Sequence, residues 1–268
     1  MLKLRKWFHK LRHAARYFIS SVVVCVGGKR RKANCTMREL KDKYKGQRCF
    51  VIGNGPSLTA EDLNLLKGEV TFASNRIYKM FEQTDWRPTY YAVFDEWVGS
   101  DPELPKNVNS FHCEGKFVRE QGWYVYRRIK DAVYLHSWYG PKYLNAPKFS
   151  SDLEKGVYAV ATVTYSMFQL ARYMGFSEIY LIGVDHKYAN ELTKDGKIIK
   201  NEGVKSYFGK DSKREAAVVG ASWEMELIYQ YAEDFSRKNG FRIFNATRGG
   251  CLEVFERVLL DDVLKGKI

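Results

Sequence analysis

From residue 48 onward, short apolar runs alternate with stretches of helical periodicity, and this alternation restricts the chain more than any other feature. Apolar runs without polar alternation suit strands covered on both faces, as in a parallel sheet flanked by helices. The expected strands are Cys49–Ile52, Val70–Ala73, Tyr90–Phe94, Ile179–Val184 and Arg242–Phe244. Each runs into small polar or acidic residues: Gly53-Asn54, Ser74-Asn75, Asp95-Glu96, Asp185-His186 and Asn245-Ala246-Thr247. Ligands of open parallel sheets bind outside the carboxyl ends of the strands, so this convergence predicts a site along one edge. Loops are polar in any protein, which accounts for part of the pattern.

The first strand leads into Gly53-Asn54-Gly55-Pro56-Ser57-Leu58 and then Thr59-Ala60-Glu61-Asp62, a capping-box start to a helix. Two glycines permit unusual backbone angles and leave no Cβ between backbone and ligand, and Pro56 fixes φ as the chain turns. Such a turn is expected to aim N–H groups at an anion, usually a phosphate. It is not the dinucleotide fingerprint, because Leu58 stands where the third glycine belongs. A plain strand-to-helix turn fits the same residues.

Further along, residues 111–128 suggest a hairpin, Ala132–Leu135 another strand, and Pro141 and Pro147 bracket a loop. A helix is expected over 156–174, with Thr162 and Thr164 near its first turns, and another over 216–239. Residues 189–215 lack periodicity and are rich in Lys, Gly, Asn and Asp. A stretch that long between regular elements reads as a lid over a site or as disorder.

The net charge of +13 is unevenly placed. Lys3, Arg5, Lys6, Lys10, Arg12, Arg16, Lys29, Arg30, Arg31, Lys32 and Arg38 supply eleven positive charges ahead of the first acid, Glu39, and leave +2 on all other residues together. A basic stripe through the whole fold, as nucleic-acid binding needs, is therefore not present, and no nucleic-acid partner is expected. The basic residues interleave with Leu4, Trp7, Phe8, Leu11, Ala15, Phe18, Ile19 and Val22 at helical spacing. Residues 1–34 are expected to form an amphipathic helix (1–26) and a linker, and 45–268 the main domain. Such a helix suits peripheral contact with a membrane surface, packing on a partner subunit, or a cleaved signal segment. The five cysteines are scattered without a C-x-x-C pair, which fits free thiols and no zinc site.

Four motifs in series, Gly53-Asn54-Gly55-Pro56-Ser57-Leu58, Ser74-Asn75-Arg76, Gly183-Val184-Asp185-His186 and Asn245-Ala246-Thr247-Arg248-Gly249-Gly250, resemble the 6-hydroxymethylpterin diphosphokinase MptE-like domain family. That family is similar to bacterial CMP-sialic acid-dependent sialyltransferases and to motility-associated flagellin glycosyltransferases. The resemblance covers roughly residues 45–260. It implies a Rossmann-like α/β domain, a mostly parallel sheet with helices on both faces and a lid. By the same resemblance, Gly53, Asn54, Gly55, Pro56, Ser57, Ser74 and Asn75 match donor-nucleotide positions, and Asp185 the ribose and base end. Asp95 stands where those enzymes have Asn, and Thr162 and Thr164 fall beside a Ser/Thr pair facing the donor. The sialyltransferases take their general-base His from the lid; here Tyr207-Phe208-Gly209 is followed by Lys210 instead.

Two enzymatic readings follow. In glycosyl transfer from a nucleotide sugar to a glycan or lipid-linked acceptor, His186 beside Asp185 is the candidate base, since its unperturbed pKa suits the task. Lys187, Tyr188, Tyr207 and Lys210 would then stabilise the leaving phosphate, and no cofactor is required. Lys210 is a poor base unless desolvated. In diphosphoryl transfer from ATP to a hydroxymethylpterin-like alcohol, Mg²⁺ is needed, and Asp95 and Asp185 are its candidate ligands. A third reading is a nucleotide-binding scaffold without catalysis. The first reading predicts a cytoplasmic protein at the inner face of the membrane, serving surface-glycan assembly, with a homo-oligomer open.

Overall fold

Residues within β1 (Arg48–Ile52) divide strictly between two cores: Cys49 and Val51 face one, Phe50 and Ile52 the other, and all four are fully buried. That is the behaviour of a central strand covered on both sides. The computed structural model describes residues 2–208 and 218–267. Helices α1 (Leu2–Val26) and α2 (Lys29–Leu40) precede β1. Then come α3 (Ala60–Leu65), β2 (Thr71–Ser74), β3 (Tyr90–Val93), α4 (Glu96–Gly99) and α5 (Leu104–Asn109). They are followed by β4 (Gly115–Arg119), α6 (Trp123–Tyr126), β5 (Ala132–Leu135), β6 (Ser137–Trp138), α7 (Lys142–Asn145) and β7 (Val157–Tyr158). Helix α8 (Val163–Tyr173) crosses to β8 (Glu178–Ile182), and β9 (Asn190–Leu192) and β10 (Ile198–Lys200) form a small antiparallel hairpin. The chain closes with α9 (Ser222–Lys238), β11 (Arg242–Asn245), β12 (Glu256–Arg257) and α10 (Leu260–Leu264).

Eight strands make one sheet in the order β12-β11-β8-β1-β2-β3-β4-β5, and every pairing in it is parallel. This is the Rossmann-like α/β fold the sequence predicts, with helices on both faces. One core joins α2, α8 and α9 to the sheet; the other joins α3, α5, α6 and α10. From β1 the chain builds outward through β2 to β5, then α8 returns it to the other side of β1, where β8 pairs along all five residues.

Several expectations are corrected. Residues 111–128 form no hairpin: β4 pairs in parallel with β3 and β5, and the chain leaves it through a short helical turn into α6. The helix expected from residue 156 begins only after Thr162, whose hydroxyl accepts the Thr164 N–H as an N-cap. Gly156, at φ 145°, lies where a Cβ would meet the His136 carbonyl oxygen at 2.7 Å. The backbone that follows pairs with β6 as β7 rather than coiling. Between Pro141 and Pro147 lies the single turn of α7. The linker expected up to residue 34 is instead helical: Lys29-Arg30-Arg31-Lys32 opens α2, and Ala33, Met37 and Leu40 enter the main core.

Candidate functional site

Strand order reverses at β1 and β8, and their carboxyl ends form the crevice such sheets use for ligands. The Gly53 N–H donates to the Ile182 carbonyl and the Gly55 N–H to the Gly183 carbonyl, each at 2.8 Å. A Cβ on Gly53 would stand 2.2 Å from the Gly183 oxygen, and one on Gly55 1.9 Å from Asp185 Oδ2. The glycines are therefore required by close approach of the two turns. Neither has positive φ, whereas Gly183 does, at 68°. The Ser57 hydroxyl donates to Asp185 Oδ2 at 2.7 Å and its N–H at 3.3 Å. The N–H groups of Gly53, Gly55 and Ser57 thus bind the β8 turn, which corrects the expectation that they point freely at a phosphate.

The fourth motif stands behind this junction. Thr247 Oγ1 accepts the Val184 N–H at 3.1 Å, and the Cys251 N–H donates to the Asp185 carbonyl at 2.8 Å. Gly250 has φ 76°, and a Cβ there would stand 3.0 Å from the Asp185 Cα and carbonyl oxygen. Arg248 pairs with Asp62 at 2.6 Å, and Asp62 with Thr59 closes the capping box of α3. The motif buttresses the site and does not line it.

In front lies a cavity of about 610 Å³. It is lined by Gly53, Asn54, Gly55, Ser74, Asn75, Asp95, Thr162, Thr164, Asp185, His186, Lys187, Tyr188 and Tyr207. Pro56 and Ser57 lie outside the lining, although Ser57 holds Asp185. Lys210 lies outside the described residues. Of the lid, Phe208 is buried and its N–H donates to the Asn54 carbonyl at 3.1 Å, tying this segment to the glycine turn.

Four lining side chains bury a polar atom that has no partner: Asn54 Oδ1, Asn75 Oδ1, Arg119 Nε and His186 Nδ1. Asn54 directs its amide nitrogen to the Ser74 carbonyl at 3.2 Å. Asn75 holds a left-handed backbone, φ 53°, fixed by the Tyr91 hydroxyl donating to its carbonyl at 2.6 Å. Buried polar atoms without partners are costly, and four of these stand on side chains around one cavity. His186 is also left-handed, φ 56°. Burial pushes its imidazole below the ordinary 6.5, against the pull of the Glu226 and Glu191 carboxylates, so the ring is neutral at pH 7. Asp185 serves Ser57, and burial raises its carboxyl above the ordinary aspartate range despite those bonds. Asp95 caps α4, its Oδ1 accepting the Trp97 N–H at 2.7 Å. Tyr188 packs against Gly220, where a Cβ would meet its ring at 2.2 Å, and its hydroxyl reaches Met225 Sδ at 3.2 Å.

Sequence reasoning missed the wall opposite the glycine turn. Arg119, at the end of β4 and 7% exposed, pairs with Glu96. Its guanidinium lies over the Tyr139 ring at 4.2 Å and the Tyr17 ring at 5.4 Å. Burial, with Glu96 adding to it, pushes the Tyr17 phenol up to about 12. The signal was present: β4 also ends in polar residues, but the assumed hairpin removed it from the set of parallel strands.

An all-parallel sheet with a polar cavity at its switch point defines the Rossmann-like α/β class. Within it, the chain belongs to the 6-hydroxymethylpterin diphosphokinase MptE-like family, whose profile matches residues 29–191, more than half of its length. Among solved structures it is similar to the MAf glycosyltransferase from Magnetospirillum magneticum AMB-1, with 16% identity over 85% of this chain and a TM-score of 0.52. This chain spans 37% of the length of that protein. It is also similar to the sialyltransferase CstII from Campylobacter jejuni, solved with cytidine-5'-monophosphate, at 14% identity and a TM-score of 0.48, covering 80% of this chain and 85% of that one. The likeness to the first of these is one of fold. No curated protein matches the sequence.

Proposed function

We propose that this chain is a glycosyltransferase that moves a sugar from a nucleotide-activated donor, a CMP-sugar as in the sialyltransferases its motifs resemble, to a hydroxyl of a glycan or lipid-linked acceptor. The observation that carries the reading is the set of unpartnered buried atoms on Asn54, Asn75 and His186 around one cavity at the switch point. The two asparagine oxygens accept hydrogen bonds and suit a ligand rich in hydroxyl or amino donors. His186, neutral at pH 7, is ready to take the acceptor proton as the new glycosidic bond forms and the nucleotide departs with the electrons of the old one. Lys187, exposed at the cavity rim, would meet the charge on the leaving phosphate with Tyr207, whereas the Tyr188 hydroxyl is turned to Met225.

The family's name favours a second reading, diphosphoryl transfer from ATP, in which Mg²⁺ would sit on Asp95 and Asp185. The fit is poor. Each carboxylate has an oxygen committed within the protein, to the Trp97 N–H and to Ser57.

Turnover assays with a panel of sugar nucleotides, on wild type and His186→Ala, test the proposal. The variant should lose transfer by about 10²–10⁴-fold while still binding the donor. The wild-type rate should rise with pH through an apparent pKa below 6.5, because burial lowers this imidazole and only its neutral form accepts a proton. Full turnover by the variant would remove His186 as the base; turnover only with ATP and Mg²⁺ would install the second reading.

A further inference from the structure

Helix α1 has two faces with different fates. Tyr17, Ser20 and Val24 turn inward: Ser20 is 1% and Val24 0% exposed, and Tyr17 lines the cavity. Leu11, Phe18, Ile19, Val22 and Val26 stay exposed, Phe18 at 71% and Val26 at 82%. At about 100° per residue, those five fall within about a quarter to a third of the circumference, opposite the inward group. Exposed large apolar side chains gathered on one helix face mark an interaction surface.

Charge tells what covers it. Arg12 is exposed on the flank of the apolar stripe, and Arg31 and Lys32 are exposed where the chain turns into α2, while Arg16 and Lys29 lie over the Tyr124 and Tyr134 rings of the body. No acidic residue lies in α1 or in the first turn of α2. Among the described residues no helix is long and apolar enough to cross a membrane. A helix of this kind, apolar on one side and cationic at its margins, suits the headgroup boundary of an anionic bilayer.

We propose that α1 lies flat on an anionic lipid surface through Leu11, Phe18, Ile19, Val22 and Val26, with Arg12, Arg31 and Lys32 at the headgroups, while Tyr17 on its other face walls the cavity. Docking then holds the cavity about one helix diameter, roughly 10–12 Å, from the lipid surface. On the glycosyl-transfer reading, which the docking itself does not require, this brings a lipid-linked acceptor hydroxyl to His186.

Flotation of the full chain with vesicles tests this without any turnover. Wild type should float with phosphatidylcholine vesicles containing phosphatidylglycerol, much less with phosphatidylcholine alone, and less as salt rises. Phe18→Ser with Val22→Ser should weaken flotation on the order of a hundredfold, since each exposed apolar side chain is worth roughly tenfold. The melting temperature should hold, because both residues are exposed. Wild-type flotation by the double variant, or no flotation of the wild type, would overturn the proposal. So would a dimer in sedimentation velocity that the same substitutions dissolve, since a second copy would then cover the stripe. A wild type that floats but turns over no sugar nucleotide in the separate assay would count against the catalytic reading alone.

Discussion

At the residue scale, the junction between the β1 and β8 turns explains why small residues stand where they do. Gly55 faces Asp185 so closely that Gly55→Ala forces the carboxylate away from Ser57. The expected cost is about 1–3 kcal/mol, as for other overpacked sites, with nucleotide binding weakened because the Asp185 turn moves. Urea unfolding of Gly55→Ala checks this; wild-type stability would show that the two turns part easily. The glycines were legible in the sequence as a special turn, but their reason was not. It depends on contact with a segment 128 positions away, from Gly55-Pro56-Ser57 to Asp185, which no local pattern reveals. Asn54, Asn75, Asp185 and His186 were legible because each directly follows an apolar strand. Arg119 has the same placement, yet its strand was hidden inside a supposed hairpin.

At the scale of elements, α2 ties the basic N-terminal region to the body. Arg30 pairs with Glu120, which is fully buried and also faces His136 Nδ1 at 3.6 Å. Burial alone would raise the Glu120 carboxyl, but hydrogen bonds from His136, Arg30 and Ser21 outweigh it and hold it below the ordinary 4.5. This stabilisation is therefore present above the ordinary glutamate range and is lost as pH falls through the lower folded value. Arg30→Ala should cost about 1–3 kcal/mol in urea unfolding near neutrality, less than a fully buried pair because the arginine is 40% exposed. An unchanged midpoint would mean that α2 is a separable arm. Run together, Lys29-Arg30-Arg31-Lys32 reads as a solvated linker, since a partner 90 positions distant leaves no trace near it. The late start of α8 has a similar cause: the residues before Thr162 have helical periodicity, but pairing with Ser137-Trp138 draws Val157-Tyr158 into a strand.

At the scale of the whole molecule, the parallel sheet and its switch point were legible because buried strands announce themselves as apolar runs and their ends as polar breaks. The enclosure of the cavity was not. One wall comes from α1, one from β4, one from the start of α8 and one from residues around Gly220, so it exists only when the chain is folded. On our proposal this cavity is a donor-nucleotide site completed through Asn54 and Asn75, with His186 turned to the acceptor. Thermal denaturation of the full chain with CMP, other nucleoside monophosphates, and ATP with Mg²⁺ tests it most directly. CMP or another pyrimidine nucleotide without Mg²⁺ should raise the melting temperature, and Asn54→Ala with Asn75→Ala should abolish the rise. No response to any nucleotide, or a response to ATP only with Mg²⁺, would contradict it.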